Sequence, residues 1–386
     1  MSPVQASCTL GMLPPSETFN DVDMKLIWNY TVKTASSLVA DEDVQCLAAN
    51  IFRTDVPTLA FDAPFLMDSI LALSCMDLQS MDRRFSLDLA YKYHARAIEG
   101  YNRAIREARP ETLRAMVVNA ILLCIMTTQC FRDPNVKDLY IVDWLFVWRG
   151  IGSIVDMVGY DVISRSTLGP ILYRTPMNLE TSALAVPANL RGMVNSIPET
   201  DEDYPSISAY NTVLDILGSL YRNLNLGFGP DLDYQIVTWL SFMPRGFAIL
   251  AQKHRPRALI ILAHYACFFR LFLGRRWWSK GVAERTISDI LTHLAGTHWM
   301  PWLHVPATVM GMTDPTSIAR VILDNPTWVS PERNSNEVRH QFLYIEEDDP
   351  IDASLHLLRK EQEKLHKLEE QIDAQISQQM SKVSLR

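Results

Sequence analysis

Four polar residues stand where the chain is otherwise oily, and they are the first candidates for chemistry. His264, Tyr265 and Arg270 interrupt the run 258–273, and Arg149 follows Trp148 in the apolar stretch 144–155. Histidine and tyrosine give and take protons, and arginine holds a developing oxyanion. On a helix His264 lies one turn from Phe268, so the two share a face. A buried arginine is costly unless paired. The alternative role for Arg149 is a structural tie to a loop carbonyl, Asp143 or Asp156. Around these four, Met67, Trp144, Trp148, Phe268, Trp277 and Trp302, with Trp278 and Trp299, are candidates to line a pocket for a hydrophobic guest. Each serves equally as plain core, because aromatic side chains dominate cores anyway.

Other chemistries lack their residues. The sequence has no GxGxxG, no GxxxxGK[ST], no HExxH and no GxSxG, so no dinucleotide, phosphate, zinc-protease or hydrolase signature is present. His293, His298 and His304 are spaced by five and six, whereas helical metal ligands want three or four. The acidic run 199–203 sits among prolines and reads as a solvated charge run. The expectation is a site with no metal and no tightly bound redox cofactor.

The chain has 386 residues, 48% of them hydrophobic, with a net charge of 36 − 44 = −8. An acidic chain with no dense Lys/Arg stripe argues against nucleic acid as a partner. Cys8, Cys46, Cys75, Cys124, Cys130 and Cys267 form no CxxC pair and read as small core residues of a reducing, intracellular compartment. The longest apolar runs, 115–126 and 258–269, are too short to span a bilayer and carry Asn119 or His264. The start lacks the basic and apolar parts of a secretory signal. The chain therefore reads as soluble and cytoplasmic.

The elements that must position the candidate residues are all helical. Helices are expected over 24–39, 65–79, 83–108, 111–129, 138–159, 206–225, 231–252, 256–273 and 282–294, from apolar spacings of three and four and from Asp, Pro and Gly at their ends. In 83–108 the inward face reads as Tyr91, His94, Ala95, Ile98, Tyr101 and Ile105. No strand-like alternation is bounded by hairpin signals. Residues 1–20 read as a loose lead-in, 21–345 as one all-α pocket domain, and 350–386 as a charged amphipathic helix. The segment 160–205 is proline-rich with short helices, either a lid or an inert excursion. The segment 311–350 is loop-rich. In the tail, Leu355, Leu358, Leu365, Leu368, Ile372, Ile376 and Met380 make a narrow stripe that docks on the body or pairs with a second copy as a homodimer.

Several stretches together carry a family likeness: FLMDSILALSCMDL (65–78), YKYHARAIEGYNRAI (91–105), WLFVWRGIGSIV (144–155), and RPRALIILAHYACFF with RRWWSKG and WMPWL. Over about 22–310 the chain resembles the C-terminal regulatory domain of fungal zinc binuclear cluster transcription factors of the sterol-uptake-regulator kind. Such factors carry an N-terminal six-cysteine cluster and a basic linker, and neither stands in this sequence. The chain is also similar to fungal hetero-Diels–Alderases, which share the regulatory domain without the DNA-binding module and join a tropolone-type quinone methide to a humulene-type terpene.

The second likeness, with Met1 only about twenty residues ahead of the regulatory-type region, sets the expectation of a cofactor-independent pericyclase in natural-product biosynthesis. Its partners are a terpene and a tropolone-like polyketide. In that reading His264 or Tyr265 handles the proton as water leaves, and Arg149 or Arg270 steadies the oxyanion. The cycloaddition gains mainly from holding its partners face to face. The first likeness implies a non-enzymatic regulatory domain that senses a sterol or another lipid.

Overall fold

The computed structural model describes residues 21–39, 47–82, 87–159, 166–172, 177–272 and 276–331. The lead-in and the C-terminal stripe lie outside them. Within the described residues there are fifteen α-helices of five residues or more and no strand. They are α1 Asp21–Asn29, α2 Val56–Asp62, α3 Pro64–Met81, α4 Leu87–Glu107, α5 Leu113–Met126, α6 Tyr140–Val158, α7 Leu179–Ala183, α8 Ala188–Asn195, α9 Ile207–Asn225, α10 Pro230–Thr238, α11 Arg245–Gln252, α12 Pro256–Phe269, α13 Val282–His293, α14 His304–Met310 and α15 Pro315–Ile322.

Two helices form the interior. In α3 every residue from Phe65 through Asp77 is buried, and in α12 every residue from Arg257 through Phe269 is. Both open on a proline, whose missing N–H is harmless in the first turn and whose fixed φ suits a helix. Helices apolar on all sides are stable only when surrounded. Accordingly α3 is wrapped by α1, α4 and α5, and α12 by α9, α11, α13 and α14. The polar side chains carried inward on α3 find partners. Ser69 donates to Asn119 at 2.7 Å, Ser74 donates to the Leu26 carbonyl at 2.7 Å, and Asp77 accepts from Thr34 at 2.6 Å.

The structure corrects five expectations about elements. The inward face of α4 is Ala90, Tyr93, Ala97, Tyr101 and Ala104, while Tyr91 and Ile98 point outward. Small residues let α4 come so close to α3 that a Cβ at Gly100 would sit 2.9 Å from the Phe65 Cβ; area gained at the helix contact outweighs burying two larger side chains. The stretch 231–252 is two helices, parted by a tight turn at Trp239–Phe242 and by Pro244. The loop-rich 311–350 contains α15, whose N-terminus is capped by Asp314 accepting from the Ser317 amide at 2.7 Å, with Pro315 in its first turn. Helical turns at both ends extend α5 to Pro110–Arg132, which is long and apolar enough to cross a bilayer by length and composition alone. Much of it is instead buried against α3 and α6, as a core helix.

The fifth correction concerns the acidic run, which is not a solvated charge run. Asp203 is fully buried, and it accepts from Arg255 at 2.7 Å and from Arg257 at 2.8 Å. Asp201 accepts from Arg257 at 2.8 Å. The guanidinium of Arg257 also lies over the Trp299 ring, 4.7 Å from its centroid. This knot fastens the loop before α9 to the first turn of α12. The carboxyl of Asp201 is held below the usual range: hydrogen bonds from the Asp203 amide and Arg257 and the nearby positive charges outweigh its desolvation.

Candidate functional site

A cleft of about 680 Å³ opens beside α12. Ala185, Pro187, Ala188 and Asn189, at the start of α8, form one wall, and Arg222 and Asn225 at the end of α9 form another. His304 and Val305 begin α14, and Val321–Asn325 end α15 and turn away from it; both face the same space. The lining is mixed, apolar and polar. Val305, Val321 and Leu323 are half-buried, whereas Asn189, Arg222, Asn225, His304, Asp324 and Asn325 are exposed. Tyr221 and His264, 3% and 1% exposed, line the cleft from the buried side. They are its floor.

The floor has one consistent hydrogen-bond assignment. The Nε2 of His264 lies 3.0 Å from the Trp302 carbonyl oxygen. A carbonyl only accepts, so Nε2 carries the proton and donates. Nδ1 is then the bare nitrogen, and the Tyr221 hydroxyl, 3.3 Å away, donates to it. Burial, only partly offset by the Trp302 carbonyl, brings the imidazole pKa down to about 4. Burial also pushes the Tyr221 phenol well above its ordinary value. Both groups are neutral at ordinary pH, and the floor carries no charge. The Tyr221 ring is fixed edge-on against Phe268 at 5.2 Å.

The other residues singled out from the sequence disperse from this cleft. Tyr265, next to His264 on α12, points elsewhere: it donates to the Ile236 carbonyl at 2.8 Å and stacks on Trp239 at 4.3 Å. Arg270 pairs with Glu284 and donates to the Met312 carbonyl at 2.6 Å, so it ties α13 and the loop before α15 to the end of α12. Arg149 is half-buried on α6 and has an interaction of its own. Trp144 is fully buried, donates to the Cys124 carbonyl at 3.0 Å, and meets Phe131, Trp148 and Phe269 at 5.3–5.8 Å. These rings fill space rather than enclose it. Trp148 is buried with its indole N–H unpartnered. Met67 is buried in α3.

Trp277 and Trp278 anchor the chain near Ser37, donating to its hydroxyl at 2.9 Å and its carbonyl at 3.3 Å. Trp302 reaches the site by its backbone: its carbonyl orients His264, while its half-buried ring faces Trp299 at 5.5 Å. Of the candidates, then, His264 lines the cleft, held by the Trp302 backbone, and Phe268 packs against the ring of Tyr221. Tyr221 was missed. It sits in ISAYNTVLDILGSLYRNLN, where helical spacing says only that it faces inward; nothing local marks it as the partner of a histidine 43 residues away. Among the described residues no group of His, Cys, Asp and Glu is placed to hold a metal ion.

Residues 30–177 match the fungal specific transcription factor domain. The chain is 21% identical to the Zn(2)-C6 fungal-type transcription factor afumD of Aspergillus fumigatus over 261 residues, which are 65% of this chain and 69% of that protein. It is 28% identical to sterol uptake control protein 2 of Candida albicans over 161 residues, 41% of this chain and 22% of the relative. The protein of the same name from Saccharomyces cerevisiae is 23% identical over 295 residues, 72% of this chain and 31% of that relative. The chain thus spans under a third of the length of either sterol uptake control protein it matches. Its matched region is similar to the regulatory-type domain of fungal transcription factors.

Proposed function

We propose that this chain is a small-molecule-binding domain of the fungal regulatory type, which takes an amphipathic guest into the cleft above Tyr221 and His264. The observation that carries this is the cleft itself, with a lining that mixes apolar and polar side chains and an uncharged, hydrogen-bonding floor. Sites for small organic ligands are concave and set apolar surface beside placed polar groups. The relatives' names support a sensing role, since all three are transcription factors or control proteins. A guest bound across α8, α9, α14 and α15 biases whichever arrangement of those helices it fits better, and that bias is the regulatory signal.

A second reading has its own support. The Tyr221 oxygen, hydrogen-bonded on to His264, can accept from and orient a ring hydroxyl of the guest. A pericyclase that first expels water from a hydroxymethyl tropolone-type precursor needs a proton delivered to the leaving hydroxyl and another removed from the ring. The coupling with a humulene-type terpene then gains from enforced orientation.

One pair of assays separates the two. The chain fused to a heterologous DNA-binding module is expected to change reporter output when a lipophilic guest is supplied; a flat response across sterols and terpenes opposes sensing. Incubation of the purified chain with the quinone methide precursor and humulene is read by chiral chromatography. Sensing predicts the uncatalysed rate and product ratio, and catalysis predicts a faster reaction and one dominant enantiomer.

A further inference from the structure

The hydrogen-bond order at the floor says which end group a guest must bring. The Trp302 carbonyl holds His264 in the tautomer with Nδ1 bare, and the Tyr221 proton is committed to that nitrogen. The phenol oxygen of Tyr221 therefore has lone pairs to offer and no proton to spare. At 3.3 Å the Tyr221–His264 bond is long for O–H···N, so Tyr221 can take a further partner without breaking a strong one. A guest with a hydroxyl suits this floor: it donates to the Tyr221 oxygen and lengthens a chain of bonds that runs Tyr221, His264, Trp302 in one direction, each polarising the next. A methyl ether cannot donate. A carboxylate cannot donate either, and the guanidinium of Arg222 stands at the exposed edge of the cleft rather than at the buried floor, where an unpaired charge is penalised.

We infer that Tyr221 is the specificity-determining residue of the cleft and selects neutral amphiphiles that end in a hydroxyl over the matching ethers and carboxylates. This rests on the cleft being the guest site. The His264 ring and the Trp302 carbonyl fix the direction of the Tyr221 proton and are positioning groups.

The test uses the full chain and a matched set on one sesquiterpene skeleton: primary alcohol, methyl ether and carboxylic acid at pH 7.5, with dissociation constants from native mass spectrometry and calorimetry. The alcohol is expected to bind about tenfold tighter than the ether, the worth of one neutral hydrogen bond at a buried site, and the acid weakest. Tyr221→Phe keeps the ring against Phe268 and removes the acceptor, so it is expected to erase the alcohol–ether difference while leaving ether affinity within about twofold. His264→Gln is the second variant, for the case in which Tyr221→Phe fails to fold. It unfixes the direction of the Tyr221 proton and is expected to shrink the same difference. Equal affinity of wild type for alcohol and ether overturns the selection rule while leaving the cleft as a guest site. Failure of all three compounds to bind overturns the cleft reading itself.

Discussion

His264 shows how far one residue can be read from composition and where that reading stops. An apolar run with one histidine in it announces a buried, neutral imidazole, and the structure has one. Its pKa is lowered from 6.5 to about 4, so the unfolded chain binds a proton at a pH where the folded chain does not. Stability from this group is complete above about pH 6.5 and is lost as pH falls toward 4; below that both states are protonated and the loss stops growing. The full difference is about 3 kcal/mol. Urea unfolding between pH 7.5 and 4.5 should show it as a steeper fall for wild type than for His264→Gln; parallel curves would count against a buried neutral histidine.

Asp203 was the opposite case, since its neighbours in sequence are acids and prolines that read as surface. Its arginine partners stand more than fifty residues away, and no local pattern joins them. Asp203→Asn leaves two guanidinium groups short of their buried counter-ion and is expected to cost about 3 kcal/mol. Glu202→Gln removes a carboxylate that is 82% exposed, and should cost under about 0.5 kcal/mol. Urea midpoints of the two variants decide this; equal losses would place the Asp203 pair at the surface.

At the scale of elements, helix existence was legible because the relevant signals are local: Pro64 and Pro256 at N-termini, Gly159 and Pro110 at ends, spacings of three and four between. Which face of α4 turns inward was not. That choice depends on how close α3 comes, and closeness is set by Gly100 and the alanines together with a partner helix. The same logic governs the contact of α7 with α9. A Cβ at Gly218, on α9, would fall 2.1 Å from the Ser182 carbonyl oxygen. The contact is with backbone, so no rotamer relieves it. Gly218→Ala must push α7 away from α9 and is expected to cost 2 kcal/mol or more, about the upper part of the range for overpacking. Gly192 lies on α8 with nothing within 4 Å of its Cβ position, and Gly192→Ala should stabilise by about 0.5–1 kcal/mol through helix propensity alone. Thermal melts of the two variants should move in opposite directions; two shifts of the same sign would refute the close approach of α7 and α9.

For the whole molecule, the all-helical class and the likeness to fungal transcription-factor domains could be read before any coordinates, since both are carried by patterns spread along the chain. The cleft could not. An abundance of tryptophan and phenylalanine suggested an aromatic chamber, but Trp144, Phe268 and Trp278 are fully buried among other side chains. The cleft beside α12 is lined by Val305, Val321, Leu323 and Pro187 among others, residues unremarkable in sequence that only the packing of four helices brings together. Hydrogen–deuterium exchange with and without a saturating sesquiterpene alcohol examines this most directly. If the cleft takes the guest, exchange slows in peptides covering 185–189, 221–225, 304–305 and 321–325 and is unchanged on the outer face of α4. Binding seen by native mass spectrometry with protection confined to segments outside those four would contradict it.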